Sequence, residues 1–384
     1  MAELPRQQGE RSPKGENMND ENYMKLALDI AAKGCGFVNP NPMVGAVIVK
    51  DGEIIGRGYH EKYGEPHAER NALASCRSST EGSTMYVTLE PCCHHGRTPP
   101  CTDAIIESGI SKLVMGVRDP NPLVSGKGAE ILRQRGIDVA EGVLEQECRK
   151  LNEVFFHYIT SNTPFVVMKY AMTMDGKIAA YTGKSKWITG ESARHKVHMD
   201  RHRYSAVMVG VGTVTQDDPL LTCRLENCRN PVRIVCDTQL RTPLDSNIVT
   251  TAGGVPTIIA TACRDEARQE SYLSSGCKII TVSEKNGHVD LGELMARLGS
   301  MKIDSILLEG GGSLNWSALS CGIVNKVQAY VSPKILGGAN AKPPVAGLGA
   351  ESPDSAFFLA NSVIMEIGGD ILIESEVVRK CSQG

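Results

Sequence analysis

Long apolar runs are absent from this 384-residue chain. A membrane-spanning helix needs about eighteen or more such residues in a row, so none is expected. An excess of one charge is absent too: 41 basic side chains face 44 acidic ones, for a net charge of −3. That balance gives no broad basic surface for nucleic acid. Aromatic residues are scarce, at 5%, which weakens a base-stacking groove further. Regular cysteine spacing is missing. Thirteen cysteines, an odd number, are scattered over the chain. This excludes a disulfide scaffold and fits a reducing cytosol, where most of them pack as small apolar side chains. The opening MAELPRQQGERSPKGENMND has no apolar core, so it is not a secretory signal, and its acidic residues argue against an organellar address. It reads as a flexible tail over residues 1–19. No Gly-x-Gly-x-x-Gly joins a strand to a helix, so the usual dinucleotide fingerprint is unsupported.

What is present is alternation. Helical periodicity over 21–34 precedes two strands, MVGAVIV (43–49) and EIIGRGYH (53–60), joined by Lys-Asp-Gly as a hairpin. Helices are expected over 67–77, 101–109, 128–136 and 144–160, with strands at 84–90, 112–117 and 137–143. This is a layered α/β unit with a largely parallel sheet. Polar TSNTP (160–164) marks a boundary. A second α/β unit follows, with strands expected at 165–172, 206–211, 232–237, 257–261, 278–282, 305–310 and 326–331 and helices at 191–203, 290–299 and 313–321. The domains are therefore placed at 20–160 and 164–378.

Chemistry concentrates in EPCCHHGRTPPC, Glu90 to Cys101, which holds three cysteines and two histidines. Upstream, GEPHAERNAL places His67-Ala68-Glu69 at the start of a helix. One histidine and two thiolates, from Cys92 and Cys101, make a three-ligand zinc site with a fourth position open for water. Closed structural sites use four protein ligands, so the open position argues for catalysis. Zinc lowers the pKa of bound water to about 7. Both cysteines fall near helix N-termini, which favour thiolate. Glu69, two residues from His67, can take the water's proton and pass it to a departing amine, the division of labour in zinc deaminases of cytosine and adenine. Under the short Pro-Cys-x-x-Cys spacing of those enzymes, His95 would partner Cys92; Cys101 is preferred here. His94 and His95 are otherwise exposed loop residues or hydrogen-bond partners of the ligands, and adjacent Cys93 leaves a second sulfur beside Cys92. The competing readings are a solvated His-x-Glu face and a purely structural zinc site.

In the second half, SILLEGGGSLNWSAL (305–319) ends a strand at Glu309, runs through three glycines and starts a helix near Ser313. Glycines permit close backbone approach, and a helix N-terminus offers free N–H groups to phosphate. Alone, such glycines are more often turn formers.

These segments are recognisable together. PNPMVGAVIV, GRGYH, GEPHAERNAL, YVTLEPCCHHGRTPPC and VRDPNPLVSGKG resemble the deaminase half of the bifunctional riboflavin biosynthesis proteins, in which a diaminohydroxyphosphoribosylaminopyrimidine deaminase is fused to a reductase. KYAMTMDGKIA, SKWITG, the helix carrying Arg194 and Arg201, and VGVGTVTQDDPLLTCR resemble the reductase half. Cys93 departs from the family, which commonly has serine there. The resemblance implies a cytidine-deaminase-like α/β/α domain followed by a dihydrofolate-reductase-like α/β domain. It implies zinc on His67, Cys92 and Cys101, with Glu69 as proton shuttle, and deaminase substrate contacts from Asn41, His60, Arg97, Asp119 and Asn121. Asn41 suits a pyrimidinone edge, while His60 and Arg97 suit a 5′-phosphate. It further implies NADPH contacts from Ala171, Trp187, Thr213, Asp217 and the segment Gly311, Gly312, Ser313 to Ser317, and reductase substrate contacts from Ser185, Arg201, Leu221, Arg224 and Glu309. Arg201 and Arg224 suit a ribose phosphate. Lys169 and Asp175 are further polar groups near a strand end, Arg241 is a candidate for a cofactor 2′-phosphate, and Glu309 is the first guess for a proton donor.

The expected function is two-step. The 2-amino group of 2,5-diamino-6-ribosylamino-4(3H)-pyrimidinone 5′-phosphate is hydrolysed, then the ribosyl group of the resulting uracil is reduced by NADPH. Partners are expected to be small phosphorylated pyrimidines, with no nucleic acid and no membrane, and the enzyme a cytoplasmic homo-oligomer. The alternatives are a tRNA-type base deaminase with an appended reductase-like domain and a non-enzymatic zinc module. Glu69 argues against the latter, since a structural site has no use for a carboxylate there.

Overall fold

The structure is a computed structural model that describes residues 18–94, 99–121 and 124–378. The chain falls into two compact units. One comprises Met43–Asn152 with the chain up to Gly34; the other comprises Cys35–Pro42 and the chain from Glu153 onward.

The first unit runs α1 (Asp20–Ala31), β1 (Gly45–Lys50), β2 (Glu53–Tyr59), α2 (Ala68–Ala74), β3 (Thr84–Leu89), α3 (Cys101–Glu107), β4 (Lys112–Val117), α4 (Lys127–Gln134), β5 (Asp138–Glu141) and α5 (Glu145–Leu151). Its sheet has the order β2-β1-β3-β4-β5. β1 is antiparallel to both neighbours, whereas β3, β4 and β5 are parallel. The sheet is thus mixed rather than largely parallel, because the hairpin expected at Lys50–Gly52 makes β2 and β1 run opposite ways. The apolar runs of β1, β3 and β4 are almost wholly buried, each large aliphatic side chain contributing about 1.5–3 kcal/mol. Helix α2 lies so close on β2 that a Cβ on Gly58 would meet the Ala72 nitrogen at 2.2 Å. Glycine is what lets the His67-bearing helix sit flat on the sheet.

The second unit contains α6 (Glu153–Ser161), β6 (Phe165–Thr173), α7 (Glu191–Arg203), β7 (Ala206–Gly210), α8 (Val211–Asp217), β8 (Val232–Cys236), α9 (Asn247–Thr250), β9 (Thr257–Thr261), α10 (Glu266–Ser274), β10 (Lys278–Thr281), β11 (Glu284–Lys285), β12 (His288–Val289), α11 (Leu291–Ser300), β13 (Ser305–Leu308), α12 (Gly312–Ser320), β14 (Val324–Ser332), β15 (Leu359–Ile367) and β16 (Asp370–Val377). Nine strands form one sheet in the order β10-β9-β8-β7-β13-β6-β14-β16-β15. From β10 to β14 every pair is parallel. These strands read as continuous apolar runs because both faces are covered. β16 is antiparallel to both of its neighbours, β14 and β15.

Two sequence expectations change. The single helix over 144–160 breaks at Asn152, whose buried side chain accepts from Met43 N at 2.8 Å and donates to Met43 O at 2.9 Å. The part after the break, α6, packs in the second unit, eight residues before the boundary read at 160–164. Tyr158 Oη donates to Gly299 O at 3.0 Å, and Lys326 Nζ meets Glu153 at 2.6 Å. The β15–β16 hairpin has no counterpart among the expected strands. Its signals were alternating residues around Gly368-Gly369, both at positive φ of 59° and 90°.

Candidate functional site: a three-donor metal centre and a reductase cleft

The parallel strands of the first unit set the metal centre. Glu90, Pro91 and Cys92 follow the C-terminal end of β3, and Asp119 follows that of β4. His67 is the N-cap of α2 and Cys101 the first residue of α3. His67 Nδ1 lies 3.5 Å from Cys92 Sγ and 3.4 Å from Cys101 Sγ. All three ligand atoms fall within 4.8 Å of one another. Cys92 Sγ also accepts from the Cys101 backbone N–H at 3.4 Å, so it sits at the N-terminus of α3. The Cys101 thiol donates to Cys92, which holds Cys92 down at about 4 and pushes Cys101 well above the thiol range. A divalent cation among these donors can keep both sulfurs ionised, and an imidazole with two soft sulfurs is a zinc donor set.

Glu69 stands in the first turn of α2, buried, within hydrogen-bonding reach of the Cys101 thiol. Burial raises its carboxyl to about 6, with the nearby Cys92 charge adding to the shift. Arg70 ties the return of the loop, its Nη2 donating to Pro99 O at 3.2 Å and Pro100 O at 3.0 Å. Cys93 is half-buried, its thiol pushed up by burial and by Glu90. That leaves Cys92, not Cys93, in the cluster with His67 and Cys101.

The other expected residues of this half are placed as follows. The ring of His60 lies edge-on to that of His67, at 5.3 Å between centroids, and its Nδ1–H donates to Pro66 O at 3.1 Å. Burial lowers its pKa. Asp119 is buried and its carboxyl is raised to about 6, chiefly by burial; its Oδ1 accepts from Asn121 N at 2.8 Å. Asn41 lies on Cys35–Pro42, which packs in the second unit, where Asn39 Nδ2 donates to Asp304 Oδ2 at 2.8 Å. Arg97 and His95 lie outside the described residues.

In the second unit a cleft of about 570 Å³ brings together Ala171, Ser185, Trp187, Arg201, Asp217, Arg224 and Glu309 with Lys169 and Asn315. Arg201 grips Glu309 with both ends of its fork, Nε to Oε1 at 2.6 Å and Nη2 to Oε2 at 3.0 Å, and gives Nη1 to Thr222 O at 3.1 Å. Both side chains are about nine-tenths buried, at 11% and 12% exposure. Burial alone would raise Glu309, but the Arg201 charge and hydrogen bonds outweigh it and hold the carboxyl at about 2. Glu309 is therefore an anion with both oxygens engaged, which corrects the guess that it donates a proton. Arg201 in turn has three of its five N–H donors committed before any phosphate arrives. Lys169 is half-buried over the Tyr330 ring, 5.6 Å from the centroid, and desolvation lowers its pKa while Glu309 acts to raise it. Asp175 is tied elsewhere, accepting from Thr173 Oγ1 at 2.6 Å and Gly337 N at 2.7 Å.

Trp187 is largely exposed, with the Arg194 guanidinium 4.6 Å above its ring. Ser185 Oγ donates to Asp217 Oδ1 at 3.1 Å. The glycine segment is positioned as expected, one residue earlier: Gly311 is the N-cap and α12 begins at Gly312, with Ser313 exposed in its first turn. Thr213 Oγ1 faces Gly311, 3.7 Å from where a Cβ would stand. Leu221 points into a core of Val207, Val209, Val214, Val235 and Ile248, so any substrate contact it makes is through its backbone. Asn315 lies within the expected segment 311–317 but was not singled out there. Its Nδ2 donates to Pro344 O at 2.8 Å, while its buried Oδ1 has no partner among the described residues. An unpaired acceptor behind a glycine turn at a helix start fits a cofactor carrying amide and phosphate groups. Arg241 lies in a separate cleft with Thr238, Gln239, Cys263, Arg268 and Glu284.

Comparison with known proteins agrees with both halves. The family described as cytidine and deoxycytidylate deaminase zinc-binding region matches residues 17–117, and the RibD C-terminal domain family matches 164–372. The riboflavin biosynthesis protein RibD of Actinobacillus pleuropneumoniae is 54% identical over 361 residues, covering 94% of this chain and 96% of that one. A crystal structure of a diaminohydroxyphosphoribosylaminopyrimidine deaminase/5-amino-6-(5-phosphoribosylamino)uracil reductase from Thermotoga maritima is 40% identical, with a TM-score of 0.80 over 94% of this chain and 99% of that one. Acinetobacter baumannii RibD is 34% identical, with a TM-score of 0.84 and the same coverage. No helix among the described residues is long and apolar enough to cross a membrane. This chain belongs to the riboflavin biosynthesis RibD family and is a bifunctional enzyme, a zinc-dependent pyrimidine deaminase joined to an NADPH-dependent reductase of the deaminated product.

Proposed function

We propose that His67, Cys92 and Cys101 hold the zinc and that Glu69 carries the proton of the deamination. The observation that carries this reading is a buried carboxyl beside three converging donors. Zinc held there supplies an activated water at neutral pH. Glu69 takes that water's proton as the water adds to C2 of the pyrimidinone, and returns it to the 2-amino nitrogen as the C–N bond breaks and ammonia leaves. A group with pKa near the working pH serves both as base and as acid. Asp119 and Asn121, directly after β4, are assigned to the substrate with Asn41 and Arg97; His60 is assigned as a neutral hydrogen-bonding group. The Glu69→Gln variant should keep one zinc per chain and full reductase activity while ammonia release falls about 10²–10⁴-fold. Removing zinc with a chelator should have the same selectivity. Ammonia release at the unchanged rate by either preparation would sink the reading.

In the second unit the cofactor supplies a hydride to C1′ of the opened sugar. Ala171, Trp187, Thr213, Asp217 and the Gly311, Gly312, Ser313 turn are assigned to the cofactor; Arg241, in its separate cleft, is not. Ser185, Arg201, Leu221, Arg224 and Glu309 are assigned to substrate, with Arg201 acting through its clamp on Glu309. Lys169 is assigned as the proton donor because its half-buried ammonium lines the same cleft as Arg201 and Glu309, over the Tyr330 ring, and desolvation lowers its pKa.

The reading extends to partners. A net charge of −3 and few aromatics favour small phosphorylated pyrimidines over nucleic acid and a cytoplasmic enzyme over a surface-bound one. Salt-dependent binding to tRNA would favour the alternative deaminase. β15 is an outer strand of its sheet, and Phe357, Phe358, Leu359, Val363 and Ile364 are exposed on or before it. An apolar sheet edge of this kind favours a second copy of the chain. Sedimentation should find a dimer or larger, and a monomer at micromolar concentration would exclude it.

A further inference from the structure

Glu90 precedes the Pro-Cys of the metal centre and has no part in the chemistry assigned so far. It is buried, and its carboxylate accepts four backbone N–H groups. Oε2 accepts from Asp119 at 3.2 Å and Gly126 at 2.9 Å; Oε1 accepts from Gly128 at 3.0 Å and Ala129 at 3.2 Å. The last three donors are the N-cap and first turn of α4, the groups that a helix leaves without internal partners. The fourth belongs to another segment, the one carrying Asp119 and Asn121 after β4. One side chain therefore ties two stretches to the residue that leads into Cys92.

The chain is shaped to receive it. A Cβ on Gly128 would meet Pro91 O at 2.3 Å and Glu90 Oε1 at 3.2 Å, and Gly126 has φ of +76°. Bare backbone is thus brought against Glu90 and Pro91 where a side chain would hold them apart. Asp119, its N–H fixed by Glu90, passes the order on by accepting from Asn121 N at 2.8 Å. Glu90 N–H itself donates to Val117 O at 2.9 Å, which continues the β3–β4 pairing to the rim of the centre.

We propose that Glu90 is a positioning residue of the deaminase, setting the segment of Asp119 and Asn121 against the metal ligand Cys92 and thereby fixing how the pyrimidine is held. The proposal rests on the deaminase reading above and deepens it. His67 and Cys101 lie on other segments, and Cys92, two residues on, is held by the Cys101 backbone N–H, so the convergence of the three donors does not need Glu90's charge. Substrate binding does, because a fixed carboxylate is what keeps four N–H groups converged.

The test is steady-state kinetics of ammonia release on the full-length zinc enzyme, with Glu90→Gln, Asp119→Asn and the double variant. Gln keeps the size of Glu90 but turns an NH₂ group toward backbone donors. Glu90→Gln should keep one zinc per chain, raise KM for the diamino-pyrimidinone phosphate about ten-fold or more, and lower kcat far less. NADPH oxidation with the deaminated substrate should be unchanged. Because Glu90 acts through Asp119, its effect should shrink to less than about two-fold in the Asp119→Asn background. Glu90→Asp, which keeps the charge on a shorter arm, should recover part of the KM. An unchanged KM, effects that multiply in the double variant, or loss of zinc from both Glu90 variants would overturn the proposal, the last by assigning the carboxylate to the fold alone. A wild-type enzyme that binds zinc but releases no ammonia from this substrate would instead sink the deaminase reading itself.

Discussion

The two sites of this chain are built on opposite plans. At the metal centre, an imidazole and two sulfurs converge within 4.8 Å of one another, a donor set that a divalent cation completes. In the reductase cleft, the main charges already satisfy each other: Arg201 clamps Glu309 through two hydrogen bonds. A site that binds a resident cation presents ligands that repel one another once ionised. A site that admits a cofactor and substrate in each turnover keeps its buried charges paired, because an unpaired one is costly between turnovers.

That contrast can be broken one side at a time. The largest effect belongs to the first site, where Glu69→Gln or zinc removal should silence ammonia release alone. Next, Lys169→Met should lower NADPH oxidation about 10²-fold or more and leave ammonia release intact; equal loss of both activities would mean a folding defect. Arg201→Met removes the clamp and leaves a buried carboxylate, which should destabilise the second unit by about 3–5 kcal/mol. Denaturant melts of the full chain, followed by loss of NADPH oxidation, check this, and the deaminase should survive at denaturant concentrations that unfold the reductase.

The smallest effect is in acid. Glu309 is held at about 2 against an ordinary 4.5, so its folded pKa is depressed. The stability it contributes is then fully present above about pH 4.5 and is lost as pH falls toward 2. Its size is on the order of 3 kcal/mol, from roughly 1.4 kcal/mol per pKa unit. Melts at pH 7 and pH 3 should show this loss, and Glu309→Gln should be less sensitive over the same window. Equal sensitivity of the two proteins would place the acid-labile group elsewhere.

The metal centre was legible in the sequence because its residues lie on motif: His67-x-Glu69 at a helix start, and Cys92 and Cys101 around a long loop. The supports of the same centre were not. Glu90 stood in the quoted motif, but its four N–H partners lie 29 to 39 residues away, and no local pattern announces them. In the reductase half, Arg201 and Glu309 were picked for substrate, yet their mutual clamp spans 108 residues and reassigns the proton-donor role away from Glu309. The break at Asn152 escaped notice for the same reason, since it depends on the backbone of Met43, 109 residues earlier.

By itself the sequence determined the alternation of helix and strand and pointed to the three side chains, His67, Cys92 and Cys101, that the fold brings together, with the carboxylate beside them. Hydrophobic period, glycine stops and ligand chemistry are local properties, set within a few residues. Tertiary structure decided which charges are neutralised in advance and where α6 packs. Those outcomes depend on burial and on partners distant in the chain, and burial is what raises Glu69 to about 6 while the buried clamp holds Glu309 at about 2.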